Sequence, residues 1–463
     1  MSTKFTEYKG LDLPTVASEV LDFWKKENIF EKSVTTREGN TPFVFFEGPP
    51  SANGLPGIHH VMARAIKDIF CRYKTQKGFQ VKRKAGWDTH GLPVELGTEA
   101  ALGITKEDIG KTISIEEYNE ACKKTVMRYT DVWNDLTEKM GYWVDMEDPY
   151  VTYKSKYMET VWWILKQIYN KDLMYKGYTI QPYSPKAGTG LSSHEVNQPG
   201  SYRDVTDTTV VAQFKVIDAH KELLFSKFYD YISSNNLLHY KLETLDLDEI
   251  YFLAWTTTPW TLPSNTALTV GPKIEYAFRP ATLILAKNLV GKQFGKGFFE
   301  STEPADFENF KEGDKKIPYQ ILAECKGADL VDIRYEQLLP FVLPYQNPEN
   351  AFRVISGDFV TTEDGTGIVH TAPTFGADDA KVAKEATPEV PPMLVLDENG
   401  TPVPLVDLQG KFTSHLGEYA GKYVKNEYYN DGEAPERSID VELAIRLKEE
   451  NKAFKVEKYV HSY

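Results

Sequence analysis

The chain has 463 residues, 41% of them hydrophobic and 13% aromatic, so it can form two or more domains with real cores. Its net charge of −14 argues against a generally basic nucleic-acid coat, although the cationic stretch 72–84 could still meet RNA. Three widely spaced cysteines without a Cys-x-x-Cys pair indicate a reducing compartment and no zinc knuckle in this segment. Without a long apolar run or a secretion signal, we expect a soluble, cytoplasmic protein with no membrane contact.

The first predicted element is a helix in an N-terminal helical region, residues 1–40. Pro14 suits the first turn of a helix, because its missing N–H group would have no partner there. An apolar stripe at helical spacing follows it, formed by Val16, Val20, Phe23 and Trp24. We expect this helix to pack on the next domain and to have a structural role.

A strand, a loop and a helix are predicted next. Residues 43–46 form a continuous apolar run, typical of a strand buried on both faces of a parallel sheet. A loop rich in Pro and Gly follows, and the apolar residues after it recur at spacings of three and four. This pattern places His59 and His60 at or near a helix N-terminus. Backbone N–H groups and the helix dipole favour anions at that position.

A second polar loop is predicted beside the first. Residues 79–81 can form the next parallel strand, and residues 85–88 then lie at its carboxyl end, where open α/β sheets bind ligands. Spacing alone leaves two interpretations open, a nucleotide site and an ordinary helix start with solvated or capping histidines. The sequence has neither Gly-x-Gly-x-x-Gly nor a Walker Gly-Lys-Ser/Thr motif, which disfavours dinucleotide and P-loop sites.

Two long amphipathic helices are predicted at residues 115–140 and 155–175. They carry a set of aromatic residues at helical spacing, which we expect to lie in the core rather than on a surface that stacks nucleic-acid bases. The set is Trp133, Tyr157, Trp162, Trp163 and Tyr169.

From about residue 180 the composition shifts to Pro, Gly, Ser and Asn, and we predict a domain boundary there. Short runs rich in β-branched and aromatic residues follow and indicate a compact β-barrel. They are residues 208–216, 251–255, 282–286 and 352–355, and Asn399-Gly400 predicts a hairpin turn.

Helical patterns interrupt and follow these strands. An amphipathic pattern covers residues 218–246, and Ser438 can cap a last helix toward Glu450, before residues 454–460 become extended. The predicted parts after the N-terminal region are the first half of a catalytic domain (41–190), an inserted β-barrel domain (191–435) and a segment returning toward the catalytic domain (436–463).

Three motifs in order carry a resemblance to a known family. The first is Gly48-Pro-Pro with the downstream His59-His60, followed by Gly86-Trp-Asp-Thr-His-Gly-Leu-Pro-Val-Glu95. The others are residues 255–265 and 365–379. Together they resemble the isoleucyl-tRNA synthetases, which are class I aminoacyl-tRNA synthetases. Leucyl enzymes typically have Gly-Trp-Asp-Ala-Phe-Gly in the second loop, and valyl enzymes are expected to have a different loop there and Lys near His370.

The resemblance implies an α/β fold, a Rossmann-like class I catalytic domain interrupted by a β-barrel editing domain. In this family the second half of the nucleotide fold, the Lys-Met-Ser-Lys-Ser loop and the anticodon-binding helices follow the barrel. None of them occurs in the sequence, so we expect an N-terminal fragment that does not form aminoacyl-adenylate efficiently by itself.

The resemblance also implies a reaction, in which isoleucine attacks the α-phosphate of ATP and is then transferred to its tRNA, with Mg²⁺ accompanying ATP. We expect a monomer. His60 is expected to face the triphosphate, Asp88 to receive the substrate ammonium, and Pro49 to touch the amino-acid side chain. The resemblance assigns catalysis to His59, His60 and Asp88, and substrate or ATP binding to Glu47, Gly48, Pro49, Pro50, Asn53, Gly57, Trp87 and His90.

The sequence departs from the family at its histidine signature. Gly57 stands where the first histidine is expected and His59 where the glycine is expected, which gives Gly-Ile-His-His in place of His-Ile-Gly-His. The imidazole at residue 59 must therefore turn aside, stack on the base or replace the absent imidazole from a new direction. Our hypothesis is that the site still activates isoleucine but responds differently to inhibitors that mimic the adenylate.

An editing activity is implied because valine is one methylene smaller than isoleucine. The resemblance assigns Asp379 to the ammonium of a misattached valine and His370 to a size filter that rejects isoleucine. It assigns Thr256, Thr258 and Asn265 to placing the terminal adenosine and the hydrolytic water, and Thr257 belongs to the same row of hydroxyls in the expected editing site. Two other readings stay open, a free-standing hydrolase of mischarged tRNA and a non-catalytic tRNA-binding module.

Overall fold

The computed structural model describes residue 10 and residues 12–234, 249–279, 283–311 and 313–462. The chain divides into two compact units, Met1–Gly177 and Tyr178–Tyr463. Each unit has its own sheet and its own candidate site.

The first unit is built on a three-stranded parallel sheet with β2 in the centre. Its strands are β1 (Pro42–Phe46), β2 (Gln80–Trp87) and β3 (Asp145–Val151). Its helices are α1 (Leu13–Lys26), α2 (Ile29–Thr35), α3 (Ile58–Gln76), α4 (Leu92–Leu102), α5 (Ile115–Val126), α6 (Thr130–Lys139) and α7 (Ser155–Tyr169). Because consecutive parallel strands need crossover connections, helices link β1 to β2 and β2 to β3.

Most predicted elements of this unit are confirmed, with two corrections. The pattern at 115–140 forms two helices, α5 and α6, because helix φ/ψ values are interrupted around Met127. Strand β1 is not buried on both faces, since Val44 and Phe46 are 61% and 59% exposed. Its apolar run is therefore half-buried on one face and exposed on the other.

The prediction that the aromatic residues of α6 and α7 lie in the core is mostly wrong. Trp133 on α6 is only 1% exposed, as expected for a core residue. On α7, however, Trp162, Trp163 and Tyr169 are 64%, 62% and 64% exposed, and Tyr157 is 37% exposed. Helical periodicity identified the apolar face of α7, but no described residue buries it.

The second unit contains the longer strands and most of the buried core. Its strands are β4 (Tyr183–Ser184), β5 (Thr189–Gly190), β6 (Asp204–Lys215), β7 (Tyr251–Thr256), β8 (Ala267–Val270), β9 (Glu275–Arg279), β10 (Leu283–Ala286), β11 (Phe298–Glu300), β12 (Ile317–Tyr319), β13 (Ala323–Lys326), β14 (Arg353–Ser356), β15 (Ile368–Thr371), β16 (Leu394–Leu396), β17 (Pro402–Pro404) and β18 (Ala453–Ser462). Its helices are α8 (Ser193–Val196), α9 (Asp218–Ser234), α10 (Val290–Phe294), α11 (Pro304–Glu308), α12 (Gly327–Leu330), α13 (Ala377–Glu385) and α14 (Ile439–Glu449).

Nine of these strands form one mixed sheet. Its order is β13-β9-β10-β7-β15-β8-β14, and β6 pairs with both β7 and β18. Strand β7 lies at the branch, parallel to β10 and β15 and antiparallel to β6. The predicted β-barrel describes this sheet only in part, because the pairing among the described residues ends at β13 and β14.

Several local predictions for this unit are confirmed. Strands β6, β7, β10 and β14 occupy the predicted runs, and β16 and β17 form an antiparallel hairpin around Asn399-Gly400. Helix α9 begins as predicted at Asp218, and the predicted pattern beyond residue 234 lies outside the described residues. Ser438 is the N-cap of α14, although its side chain makes no capping hydrogen bond.

None of the helices in the described ranges has the length and apolar character needed to cross a membrane.

Candidate functional site

In the first unit, three hydrogen bonds from other segments stabilise the loop that follows β1. The backbone N–H of Tyr129 donates to the carbonyl of Ala52 at 3.0 Å, and the indole of Trp133 donates to the carbonyl of Gly54 at 2.9 Å. From the end of β2, the N–H of Asp88 donates to the carbonyl of Pro50 at 3.0 Å. The structure thus brings the two predicted polar loops together at the carboxyl ends of neighbouring parallel strands.

Glu47 anchors the start of this loop. Its side chain is 4% exposed, with one carboxylate oxygen 2.5 Å from Lys67 Nζ and the other accepting from the Tyr142 hydroxyl. The Tyr150 hydroxyl donates to the backbone carbonyl of Glu47. Both carboxylate oxygens are therefore engaged inside the unit, and the predicted contact of Glu47 with a substrate stays a prediction.

His59 and His60 begin α3, as predicted. The backbone N–H of Gly57 donates to His60 Nδ1 at 2.9 Å. Burial, with the positive charges of His59, Arg64 and Lys67, lowers the pKa of His60. The neutral ring therefore carries its hydrogen on Nε2, which remains a donor.

The His59 ring lies back against Gly57. The ring centroids of His59 and His60 are 3.8 Å apart, and a Cβ atom at residue 57 would lie 2.8 Å from Cε1 of His59. The imidazole of residue 59 thus fills the space beside residue 57. The three alternatives for the exchanged histidine stay predictions. A side chain at residue 57 fits only when His59 moves or is removed.

Sequence reasoning missed Arg64, which lies one turn after His60. Arg64 is 6% exposed, and its guanidinium carbon lies 4.6 Å from the ring centroid of Trp133. Its Nε and Nη1 atoms and the Ser51 hydroxyl are buried without a hydrogen-bond partner among the described residues. The carboxylate of Glu47 is matched by Lys67, so the charge of Arg64 is not balanced by a bonded carboxylate.

The second loop, which follows β2, forms hydrogen bonds with Thr152 at the end of β3. Thr89 N donates to Thr152 Oγ1 at 3.0 Å, and His90 Nδ1 lies 3.0 Å from the same oxygen. Asp88 is half-buried, and its Oδ1 accepts from His90 N at 3.3 Å. Trp87 is buried at 6% exposure under this turn. Thr152 was not predicted, since only the fold brings it here. The remaining predicted residues line the first loop, with Gly48 exposed and Pro49, Pro50 and Asn53 half-buried.

In the second unit, the predicted threonines follow β7. The N–H of Thr258 donates to Thr256 Oγ1 at 3.0 Å, and the hydroxyls of these two threonines are 3.4 Å apart. Thr257 is half-buried. Thr261, which was not predicted, donates its hydroxyl hydrogen to the carbonyl of Thr258 at 2.9 Å. The turn after β7 therefore groups several hydroxyls at one place.

His370 on β15 joins this group. Its Nε2 lies 3.0 Å from Thr261 Oγ1, and its Nδ1 lies 2.9 Å from Asn265 Nδ2. Burial lowers the pKa of His370 to about 4, so the ring is neutral near pH 7. Asn265 is 2% exposed and also bonds the carbonyl of Ala267 at 2.8 Å and the hydroxyl of Tyr335 at 2.7 Å. Its polar atoms are thus engaged inside the protein rather than presented to a substrate.

Asp379 lies in the first turn of α13. Its Oδ2 accepts from the backbone N–H of Ala372, two residues after His370, at 2.9 Å. A Cβ atom at Gly376 would lie 2.6 Å from this oxygen, so a glycine is required for the carboxylate to fold back. Burial raises the pKa of Asp379, and the neighbouring charge of Asp378 adds to the effect. No described residue bonds to Oδ1, which can therefore take a ligand.

A buried ion pair, formed by two residues that were not predicted, stabilises the turn that follows β7. Asp440 accepts from the backbone N–H of Trp260 at 2.9 Å and pairs with Lys425 Nζ at 3.0 Å. Both side chains are under 10% exposed. Because these residues are far apart in sequence, no local pattern could have indicated this contact. No described residues form a group of three or more His, Cys, Asp or Glu suited to a metal ion.

Comparison with known proteins agrees with the motifs. The family model for class I tRNA synthetases (I, L, M and V) matches residues 19–393. An isoleucine–tRNA ligase of Bacteroides fragilis is 56% identical over all of this chain, and one of Cytophaga hutchinsonii is 55% identical over 99% of it. The chain spans 40% of the length of each of these relatives.

A solved editing domain of the P. knowlesi cytosolic leucyl-tRNA synthetase covers 54% of this chain and 96% of that chain. Its 12% identity and TM-score of 0.33 are too low to bear on the assignment. The family match covers most of the chain and includes both loops of the first unit and the threonine, His370 and Asp379 motifs of the second. The chain belongs to the class I tRNA synthetases.

Proposed function

We propose that this chain is part of an isoleucine–tRNA ligase, which activates isoleucine with ATP, transfers it to its tRNA and hydrolyses misattached valine. The observation that carries the editing part is the free Oδ1 of Asp379, held beside the strand of His370 by the Ala372 amide. The proposed substrates of the longer protein are isoleucine, ATP with Mg²⁺, and isoleucine tRNA. We propose that it acts as a monomer in the cytoplasm.

The residues of the first unit fit the phosphates of ATP. The start of α3, Nε2–H of His60 and the unpaired guanidinium nitrogens of Arg64 all favour an anion. The unpaired nitrogens of Arg64 are buried, and a buried unpaired donor costs free energy unless a ligand or another part of the protein satisfies it. In this proposal Asp88 receives the ammonium of isoleucine, and His60 stabilises charge that develops as pyrophosphate leaves.

Editing is required because an apolar pocket distinguishes substrates that differ by one methylene by only about 1–3 kcal/mol, as is already established for this kind of enzyme. In the second unit, Asp379 would bind the ammonium of valine, and the hydroxyls of Thr256 and Thr258 would orient water and the terminal ribose. His370 would exclude the larger isoleucine side chain. Because no protein nucleophile is needed, the attacking group would be water.

Deacylation tests this proposal directly. The 463-residue chain is incubated with valine-charged and with isoleucine-charged isoleucine tRNA, and the loss of each is followed over time. We expect selective loss of valine, reduced about 10- to 100-fold by Asp379→Ala, since a charge-assisted hydrogen bond contributes about 1.5–3 kcal/mol. Asp378→Ala is the matched control, because Asp378 is the adjacent but exposed carboxylate.

Absence of hydrolysis by the unaltered chain would overturn editing by this chain and favour a tRNA-binding module. Equal hydrolysis of both tRNAs, or equal effects of the two substitutions, would overturn the assigned roles. A free-standing hydrolase is the second candidate. It predicts that the longer protein deacylates mischarged tRNA but does not bind ATP at the first unit, which equilibrium dialysis of the longer protein with ATP would measure.

A further inference from the structure

We propose that Tyr335 and Asn265 are positioning residues that hold the His370 ring in one tautomer and one orientation, so that only a carbon edge of the ring faces the substrate. This proposal rests on the editing function proposed above. It assigns a role to Tyr335, which lies outside the motifs of the sequence analysis, and changes the role expected for Asn265.

One end of the hydrogen-bond chain fixes Nδ1. The carbonyl of Ala267 can only accept, so the atom of Asn265 that faces it at 2.8 Å is the NH₂ group. The same NH₂ group lies 2.9 Å from His370 Nδ1, which must therefore accept and carries no hydrogen. The amide oxygen then points the other way and accepts from the Tyr335 hydroxyl at 2.7 Å.

The other end is consistent with this tautomer. The carbonyl of Thr258 accepts from the Thr261 hydroxyl at 2.9 Å and from the Thr261 backbone N–H at 3.0 Å. With its hydrogen directed to that carbonyl, the Thr261 hydroxyl oxygen accepts from His370 Nε2 at 3.0 Å. Because Asn265 leaves Nδ1 without a hydrogen, the neutral ring carries its hydrogen on Nε2, and this arrangement satisfies both ring nitrogens.

Tyr335 can act as the fixed end because its ring is immobilised. It is 2% exposed, with the rings of Phe214 and Phe352 centred 5.4 and 6.3 Å away, and its backbone N–H donates to the carbonyl of Phe352 at 3.1 Å. A 180° turn of the Asn265 amide would place its NH₂ group against the Tyr335 hydroxyl and its oxygen against Ala267. The contact between the amide oxygen and the Ala267 carbonyl opposes that turn, and the turn would also deprive the buried Tyr335 hydroxyl of the acceptor for its hydrogen.

This arrangement has a consequence for specificity. His370 is 7% exposed, and both of its nitrogens are occupied within the protein. The part of the ring that reaches the substrate is therefore carbon, which suits a steric filter and not a general base. A ring free to change tautomer or tilt would present a less defined surface and would admit isoleucine more readily.

The test uses two variants of the 463-residue chain and one control. Asn265→Asp replaces the donor beside Nδ1 with an acceptor, and Tyr335→Phe removes only the hydroxyl that orients the amide. Tyr276→Phe is the control, because it removes another fully buried hydroxyl of the same unit, bonded to Gly367 O at 2.6 Å. ¹⁵N spectra of labelled histidine report the His370 tautomer, with His370→Gln used for assignment, and deacylation of valine- and isoleucine-charged tRNA reports selectivity.

We expect one tautomer, with hydrogen on Nε2, in the unaltered chain and in Tyr276→Phe. Asn265→Asp should move hydrogen to Nδ1, and Tyr335→Phe should give a second set of His370 resonances. Discrimination against isoleucine should fall about 10-fold and about 3-fold respectively, the range expected from losing one hydrogen bond. Thermal melts identify any variant that fails to fold.

An unchanged tautomer in Asn265→Asp, or the same spectra in Tyr335→Phe as in the control, would overturn the positioning role. Altered tautomers with unaltered discrimination would overturn its link to specificity. If the unaltered chain deacylates neither tRNA, the proposed editing function fails, while the spectra still decide whether Tyr335 and Asn265 fix the ring.

Discussion

The two candidate sites differ in how completely hydrogen bonds hold their principal side chains. In the second unit, a continuous set of hydrogen bonds runs from Tyr335 through Asn265 and His370 to Thr261 and Thr258. In the first unit, buried nitrogens of Arg64 and the Ser51 hydroxyl lack partners among the described residues. The principal side chains of the proposed editing site are thus held by this chain, although Trp260 Nε1 and Thr266 Oγ1 nearby are also buried without a partner among the described residues, whereas Arg64 at the proposed nucleotide site has charged nitrogens without partners.

The first unit also has apolar side chains that no described residue covers. Helix α3 exposes Ile58, Met62, Ile66, Ile69 and Tyr73 along one side, each more than half exposed. Exposed apolar stripes of this size usually mark an interaction surface. The relatives are longer than this chain, and we propose that their additional residues cover this side of α3 and the open face of α7 and supply partners for the nucleotide site.

The largest expected effect on the free energy of unfolding comes from comparing a buried and an exposed tryptophan of the first unit. Trp133→Ala should reduce the free energy of unfolding by about 3–5 kcal/mol, since it empties a core position and removes the bond to Gly54. Trp163→Ala, at 62% exposure, should change it by about 0.5 kcal/mol or less. Native-state hydrogen exchange of each variant measures both values.

A similar cost for both tryptophans would mean that α7 is covered, for example by a second copy, and would contradict the comparison. Sedimentation at two protein concentrations distinguishes that case from a packed monomer.

A pH-dependent effect of about 3 kcal/mol should come from the second unit. The pKa of His370 is lowered from 6.5 to about 4 in the folded protein. This difference spans about 2.5 pH units, and each pH unit corresponds to about 1.4 kcal/mol. Because the unfolded chain takes up this proton first, stability is lost as the pH falls from about 6.5 to about 4. His370→Gln should remove this contribution. Urea unfolding at several pH values measures the difference between the two proteins.

His415→Gln is the control for that experiment, because His415 is a half-exposed histidine of the same unit outside the hydrogen-bonded chain. If its pH profile differs from that of the unaltered protein as much as the His370→Gln profile does, burial of His370 is not the cause.

A smaller effect tests how tightly the second loop of the first unit is packed. A Cβ atom at Gly86 would lie 2.3 Å from the ring of Tyr150, whose hydroxyl bonds Glu47. Gly86→Ala should therefore destabilise the unit by about 1–3 kcal/mol. Gly97→Ala is matched, because Gly97 lies inside α4 with open space around it, and should stabilise by about 0.5–1 kcal/mol. Thermal melts compare the two, and a stabilising Gly86→Ala would contradict this packing.

These residues also show what sequence could predict. The start of α3 at His59 and His60 follows from apolar spacing and a loop, which are local patterns. The partners Thr152, Tyr335 and Asp440 were missed, because each reaches its site across 60 or more residues of sequence. Trp162 was misplaced for a related reason, since periodicity identifies an apolar face but not what covers it.

The smallest expected effect on stability comes from Asp379, where the same substitution should stabilise the protein and slow deacylation. Burial raises the pKa of this carboxyl above 3.8, so the stability that its neutral form contributes is present below pH 3.8 and is lost as the pH rises through the folded pKa. Asp379→Asn stays neutral and keeps an acceptor for the Ala372 N–H. It should therefore be slightly more stable than the unaltered chain at pH 7, equally stable at pH 3, and about 10- to 100-fold slower in valine deacylation.

Asp378→Asn, which changes the exposed neighbour, should leave both stability and deacylation nearly unchanged. Urea unfolding at pH 3 and pH 7 measures the stability of all three proteins. A less stable Asp379→Asn at pH 7 would mean that the charged carboxylate is satisfied within the protein. The Oδ1 atom would then not be reserved for the ammonium of a substrate, and the editing site would depend on this charge for its fold rather than for its chemistry.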